Sequence, residues 1–274
     1  TSFRPTGGSG GGNVSQVHID SLNKFSNYLA SQYDYATGSA DGLPNANISN
    51  YKILARIDWN INTTHKLTLK YSEMVGDDER LMSNSVPNGG QSGGPNTWTT
   101  NPRFGNNAMS FENSQYSFRD VVRSAAIEVN SNWNGKFSNQ FIATGTKIRT
   151  TRSTPGGVFP FIDIMGDPTK SGVAATYAGG AKQNYMSAGQ ENFSNANDVK
   201  NDVYNITNNF NYYRGKHTFT LGGTYEYQYV GNMFMPGAQS YYAFGSLQEF
   251  MTPGTNPIGF TYTFSRIAGK EKVY

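Results

Sequence analysis

Few residues of this 274-residue chain could do chemistry, and most of them fail on context. Gly7-Gly8-Ser9-Gly10-Gly11 spells G-x-S-x-G, the letters of a nucleophile elbow that holds a serine on a sharp strand-to-helix turn. The letters lie in a glycine tract, so composition explains them, and the same tract lacks the strand and helix that a dinucleotide fingerprint requires. His18, His65 and His217 have no ligand spacing, and His65 and His217 sit beside tight turns as ordinary solvated histidines. There is no Cys, which excludes thiolate metal sites and a disulfide scaffold. Asp77-Asp78-Glu79 could hold Ca²⁺ weakly at a loop edge, but a solvated acidic turn is the ordinary reading. Asn47-Ile48-Ser49, Asn62-Thr63-Thr64 and Asn205-Ile206-Thr207 match glycosylation sequons. Two of them fall within or beside the alternating segments described next, which discounts them. The expectation is a chain that is not an enzyme, with no catalytic residue, no resident metal and no cofactor.

The polar set of most interest is Lys52, Arg56, Asp58, Lys66, Lys70, Glu128 and Glu226. These residues share one face of strongly alternating segments. From Thr218 to Tyr229, Phe219, Leu221, Gly223, Tyr225, Tyr227 and Tyr229 take one parity, and Thr218, Thr220, Thr224, Glu226 and Gln228 take the other. That is a long strand with one apolar face. The arm before it alternates in the same way through Tyr204, Ile206, Phe210 and Tyr212, and the two join at Tyr213-Arg214-Gly215-Lys216. An earlier unit alternates Ile53, Ala55, Ile57, Trp59 and Ile61 with Lys52, Leu54, Arg56, Asp58 and Asn60, and returns through Leu67, Leu69 and Tyr71. A middle unit places Ala125, Ile127, Val129 and Trp133 together and turns at Asn134-Gly135-Lys136. Its return arm, 137–149, is open: Phe141 and Ala143 compete in parity with Ile142 and Ile148. Side chains such as Arg56, Asp58, Lys66, Lys70, Glu128 and Glu226 would line a lumen, where they stabilise a plug, guide a solute or merely hydrate the wall.

Each turn carries an aromatic on its near side and a Lys just after it: Trp59 and Lys66, Trp133 and Lys136, Tyr212 and Lys216. Hydrophobic closure of a soluble hairpin explains any one of them. Three alike point to a membrane interface, where Trp and Tyr sit at the headgroups and Lys in the water beyond. The hairpins span about 51–75, 119–149 and 201–230. The segments between them, about 1–50, 76–118, 150–200 and 231–274, lack sustained alternation and are rich in Gly, Asn, Ser and Pro. Short turns at one end and long loops at the other describe an outer-membrane barrel with extracellular loops. Within the loops, Leu22, Phe25 and Leu29 have helical spacing after an N-cap at Asp20 or Ser21, and Gly245 to Met251 reads as a helical turn. Trp98, Phe104, Phe159, Phe161 and Tyr177 stand on polar loops, either as anchors for a ligand or partner or packed on one another as a lid over the barrel.

Composition agrees. The chain has 31 Gly, 30 Asn, 18 Tyr and 17 Phe, with only 15% charged residues. Gly and Asn disfavour a helix bundle, and 14% aromatics disfavour disorder. No run approaches a transmembrane helix. A net charge of +3 is too small to argue for nucleic acid. The expected fold class is therefore all-β: a transmembrane antiparallel β-barrel, of which about six strands are present as three hairpins. Six strands cannot close a membrane barrel, so further strands of the same barrel are expected as partners, together with outer-membrane lipid. Thr1 is not a natural start and no signal pattern opens the chain, so the segment reads as an internal piece.

Ala55-Arg56-Ile57-Asp58-Trp59-Asn60-Ile61-Asn62 followed by His65-Lys66-Leu67-Thr68-Leu69-Lys70-Tyr71 resembles a barrel hairpin of TonB-dependent outer-membrane receptors. The resemblance is to the Oar-like subgroup with a carboxypeptidase-regulatory-like domain, common in Bacteroidota. Asn134-Gly135-Lys136-Phe137-Ser138-Asn139-Gln140, Phe159-Pro160-Phe161-Ile162-Asp163-Ile164, Gly215 to Gly223 with Tyr225 and Glu226, and Ser240-Tyr241-Tyr242 to Ser246-Leu247 follow in the right order. The resemblance implies a barrel of about 22 strands filled by a plug, with the plug and TonB box outside this segment. It implies energised uptake of a scarce solute, driven by the TonB–ExbB–ExbD complex, in the bacterial outer membrane, and leaves room for a surface lipoprotein partner. The alternatives are a non-transporting surface adhesion or scaffold protein and, third, a soluble carbohydrate-binding β protein.

Overall fold

An alternating strand needs a neighbour to satisfy its backbone, and each alternating segment here pairs with at least one other. The computed structural model describes residues 3–9, 12–40, 47–85, 98–99, 103–166 and 182–267. In chain order the strands are β1 (Phe3–Thr6), β2 (Asn13–His18), β3 (Ile48–Asn60), β4 (His65–Arg80), β5 (Trp98–Thr99), β6 (Met109–Ser110), β7 (Tyr116–Trp133) and β8 (Phe137–Ser153). They continue as β9 (Phe161–Met165), β10 (Lys182–Ala188), β11 (Asn197–Arg214), β12 (His217–Phe234), β13 (Tyr241–Phe244) and β14 (Gly259–Thr261), with helices α1 (Ile19–Tyr33) and α2 (Leu247–Met251). The chain is mostly strand. No described helix is long and apolar enough to cross a membrane, which says nothing of strands.

The six long strands form one antiparallel meander in the order β12-β11-β8-β7-β4-β3. Among the described residues the sheet is not closed into a barrel: β3 and β12 each keep an edge without a pairing strand. Its registers are unbroken, so the faces of one strand are imposed on the next. Asp58 lies opposite Thr68, Thr68 opposite Glu128, Glu128 opposite Ile142, Ile142 opposite Thr207 and Thr207 opposite Thr224. The adjacent row on the other face reads Ile57, Leu69, Ile127, Ala143, Ile206 and Tyr225. This decides the open arm. Phe137, Phe141 and Ala143 join the apolar face, and Ile142 and Ile148 fall on the polar one. A one-residue slip would reverse every side chain, so the turn that sets the register chooses for the whole arm.

Each short turn has its own device. Asn62 Oδ1 accepts from the backbone N–H of Thr64 at 2.8 Å and of His65 at 2.9 Å, an Asx turn. Asn134 and Gly135 both have positive φ, 53° and 67°, and the Lys136 N–H donates to the Trp133 carbonyl at 3.0 Å. That is a type I′ turn, whose twist matches the flanking strands. Arg214 pairs with His217 across a two-residue turn that has Gly215 at φ 58°.

The strands outrun the hairpins expected from sequence: 48–80, 116–153 and 197–234 rather than 51–75, 119–149 and 201–230. The added residues mix charged positions such as Asp77 to Arg80 with isolated apolar ones such as Phe118, Val199 and Met233, so sustained alternation stops while the ladder continues. Asp77, Asp78 and Glu79 accordingly lie inside β4, not at a loop edge.

The long segments are not structureless loops. α1 buries Leu22, Phe25 and Leu29 as its spacing requires, but its N-cap is His18, whose Nδ1 accepts from the Asp20 N–H at 3.2 Å, rather than Asp20 or Ser21. α2 follows Ser246, whose hydroxyl accepts from the Glu249 N–H at 3.1 Å. A second, mixed sheet runs β14-β13-β9-β10-β5, with β6 against β10. Its strands are too short to show alternation, and β9 is covered on both faces, with every residue buried. Val17, Leu22, Phe25, Leu29, Phe111, Ile164, Tyr185 and Met186 form its core with α1.

Gly189 marks how tightly this layer is closed. Its φ is +103°, and a Cβ there would stand 2.0 Å from the Pro160 carbonyl oxygen. Gly157 also has positive φ, 71°, yet a Cβ there meets nothing within 4 Å. Gly189→Ala should therefore destabilise the layer by more than about 3 kcal/mol, because strain and collision add, while Gly157→Ala costs about 1 kcal/mol. Denaturant unfolding of the two variants checks this; equal losses would contradict the packing.

Candidate functional site

Two groups of side chains could do work, one on the polar face of the long sheet and one in the layer above the strand ends. On the polar face, Arg56 donates to Asp58 through Nε at 2.7 Å and Nη2 at 3.0 Å, Thr68 Oγ1 donates to Asp58 at 2.6 Å, and Lys66 Nζ stands 3.6 Å away. Beside this lies Glu128, 3.6 Å from Lys70 Nζ, accepting from Asn130 at 2.8 Å and Gln140 at 3.0 Å. Register explains the cluster, since Arg56 is directly opposite Lys70 and Thr68 directly opposite Glu128. Five of the six expected charges are thus brought together. Glu226 is not; it lies toward the β12 edge, opposite Asn205. Toward the turns the face holds a cavity of about 440 Å³, lined by Lys66, Asn130, Asn132, Ser138, Gln140 and Asn211 among others. Amides and hydroxyls dominate this lining beside the Lys66 ammonium, and such groups bind by hydrogen bonding.

Trp59, Trp133 and Tyr212 all fall on the apolar face near the turns. Trp133 meets His65 edge-on at 5.7 Å, and Tyr212 stacks on Phe137 at 5.1 Å and Phe219 at 6.1 Å.

In the upper layer the centre is a buried ion pair that no local motif announced. Arg103 and Asp163 are both fully buried. Arg103 donates to Asp163 through Nε at 3.0 Å and Nη2 at 2.7 Å, and through Nη1 to the carbonyls of Ser83 and Ser85. Asp163 also accepts from Ser187 Oγ at 2.6 Å and Tyr241 Oη at 2.8 Å. Burial opposes the Arg103 charge, but the carboxylate beside it outweighs burial and holds its pKa above the usual value. Nearby, Glu191 accepts from the N–H groups of Ser83 and Phe193 and from Ser194 Oγ. These partners are spread along the chain with no fixed spacing. The available signal was Asp163 itself, a lone acid in the apolar run Phe161-Ile162-Asp163-Ile164.

The loop aromatics divide. Phe161 is fully buried under the Arg103 guanidinium, 4.8 Å from its ring centre, and cannot touch a ligand. Its place in a covered strand is the physical reason. Phe104 is half-buried, edge-on to Phe3 at 5.5 Å. Phe159 is half-buried and stacks on Tyr35 at 4.0 Å; burial pushes the Tyr35 hydroxyl up to about 12. Trp98 contributes its backbone to β5, opposite Lys182; its side chain and Tyr177 lie outside the described residues. The aromatics that reach the surface were missed: Tyr33, half exposed, and Tyr28, both packed on Phe250 beside a groove of about 580 Å³ lined by Asp20, Asn23, Lys24, Asn27 and Met251. Among the described residues no cluster of His, Asp and Glu could hold a metal ion.

Removing one member of a buried pair leaves the other charged and unpaired. Asp163→Asn should cost about 3–5 kcal/mol of stability, and Arg103→Lys should not rescue the site because a lysine cannot bridge Asp163 and two carbonyls. The combined Arg103→Met/Asp163→Leu variant should lose less than Asp163→Asn. Urea unfolding monitored on the upper layer distinguishes these, and additive losses would contradict the pairing.

No known protein family, curated protein or solved structure matches this chain.

Proposed function

We propose that the chain is part of the wall and outer loops of a TonB-dependent receptor in the bacterial outer membrane, serving energised uptake of a scarce solute. The carrying observation is the height and dressing of the apolar face. Between the row holding Arg123 and the row holding Trp133, uncharged side chains run unbroken across the strands. Ten residues rise about 33 Å along a strand, and a tilt of about 45° leaves about 24 Å, the height of a barrel's lipid-facing band. Aromatics border it: Tyr71, Tyr204 and Tyr227 share its upper row, and Trp133, Phe137, Tyr212 and Phe219 share its lowest. Its large side chains are uncovered, with Leu221 77% exposed and Tyr225 66%. A water-soluble protein rarely leaves an apolar surface of that extent open.

The polar face then lines the lumen, with its charge cluster and amide cavity toward the plug, and the upper layer covers the mouth. Recognition falls to the outer layer, through Tyr28, Tyr33 and the half-exposed flanks of Phe104 and Phe159. Energy comes from TonB–ExbB–ExbD through a plug beyond this segment, and a surface lipoprotein is a candidate partner. The rigid core of the outer layer favours a second reading, a non-transporting adhesion or scaffold protein, since a firm platform suits either role. A plug and TonB box in the full-length gene separate the two.

Two measurements test the membrane reading. Leu221→Arg should cost about 2–4 kcal/mol and impair insertion, whereas Thr220→Arg on the polar face should not. With no native Cys, Val158→Cys should react on intact cells with an impermeant maleimide and Gly135→Cys should not. Equal insertion of the two arginine variants, or equal labelling, would sink the topology.

A further inference from the structure

α1 commits one side to the core and leaves another open. Leu22, Phe25 and Leu29 are buried, while Asp20, Asn23, Lys24, Asn27 and Tyr28 lie along a groove of about 580 Å³. Ligand pockets commonly measure about 300–1,000 Å³. Met251 of α2 completes the lining, and Tyr28 is held edge-on against Phe250 at 5.4 Å and Tyr33 at 6.2 Å. Packing of both helices thus fixes the groove before anything enters it, which lowers the ordering cost of binding. Some of its polar groups are engaged. The Ser31 hydroxyl donates to the Tyr28 carbonyl at 3.3 Å and accepts from Gln32 at 3.5 Å, and Asp20 lies 3.1 Å from His18. Asn23 and Asn27 differ: both are exposed, and their carboxamides bond to no described residue.

We infer that this groove grips the main chain of an extended peptide, which makes peptide the solute class of the receptor. The inference rests on the receptor reading above and specifies what its outer layer recognises. Spacing supplies the first argument. Asn23 and Asn27 are one helical turn apart on the same side of α1, about 6 Å along its axis. An extended chain turns the N–H and C=O of every second residue to one side, with a repeat of about 6.7 Å. A carboxamide carries an acceptor and a donor in one plane, so each can pair with both groups of one such residue. The two repeats differ by under about 1 Å, which side-chain rotation absorbs. Charge supplies the second argument. Asp20 and Lys24 cancel, so the groove presents dipoles without net charge, as a peptide main chain does. Met251 adds an adaptable apolar wall that accepts side chains of differing shape. A saccharide would call for an open aromatic face against the amides, whereas Tyr28 is packed on Phe250 and Tyr33.

The test uses the full-length protein in detergent, with calorimetry reading the binding of an acetylated, amidated pentapeptide of alternating serine and leucine. The wild type should bind this peptide and reject its fully N-methylated counterpart, which keeps the side chains but loses every main-chain donor. Asn23→Leu and Asn27→Leu should each weaken binding by about tenfold, since each removes two hydrogen bonds. Both positions are exposed and leucine favours a helix, so circular dichroism and thermal unfolding should not change. Gln248→Leu, which removes an exposed amide of α2 outside the groove, should leave binding intact. Equal binding of the N-methylated peptide, or equal loss in all three variants, would overturn the inference. Binding of cellopentaose in place of the peptide, lost in Asn23→Leu, would assign the groove to saccharides and overturn it too. A protein that needs detergent yet binds no peptide defeats this inference alone; one that stays soluble without detergent defeats the receptor reading beneath it.

Discussion

The side-chain period of two, carried in register across six strands, is the constraint on which the rest depends. In each long strand the pleat sends neighbouring residues to opposite faces, and the ladder makes each strand adopt its neighbour's assignment. Asp58, Thr68 and Glu128 meet only because three strands agree on register, and the same agreement places Ile57, Leu69 and Ile127 together behind them. One face therefore concentrates hydrogen-bonding groups while the other excludes them. Two solvents of opposite character satisfy such a sheet better than one. Within it every strand but β3 and β12 has a hydrogen-bonded neighbour on both sides. If the apolar face lies in lipid, those two edges require further strands, since each unpaired group there costs several kcal/mol.

Much of this was legible because alternation is a local signal. The parity of Phe219 to Tyr229 assigns faces without knowledge of any partner, and the dipeptide Asn134-Gly135 announces its turn. The arm 137–149 was not legible, because Phe141 and Ile142 are equally apolar and only pairing with β7 and β11 separates them. The strand ends were missed for a related reason: in Gly76 to Arg80 or Thr150 to Ser153 no apolar residue marks either face, so pairing persists after the pattern stops.

The upper layer was hardest to read. α1 was visible through Leu22, Phe25 and Leu29, a helical spacing with one buried face. β9 and β10 were not, because a strand covered on both sides carries no period. Aromatics on Gly- and Asn-rich segments looked like surface anchors, yet Phe161 is buried. What buries it is the same network that neutralises Arg103, whose partners are far apart in sequence and share no spacing. Long-range polar networks leave their trace in single residues out of place, as Asp163 is among isoleucines.

That network also decides how the segments between the strands behave. Arg103 ties the chain after β4, through the Ser83 and Ser85 carbonyls, to Asp163 of β9, and Asp163 in turn holds Ser187 of β10 and Tyr241 of β13. Glu191 joins the Ser83 N–H to the approach of β11, and Gln239 donates to the carbonyls of Gln190 and Glu191. The exits of β4, β8 and β12 and the entry to β11 therefore meet in one packed unit. A loop in a set of independent loops can be shortened at little entropic cost. Here, cutting out 86–106 would take Arg103 with it and strand Asp163 in a dry interior, and cutting out 155–190 would remove β9 and β10 altogether. Ligand contact at Tyr28 or Tyr33 would accordingly be felt by a rigid body seated on the strand ends rather than by a single flexible loop.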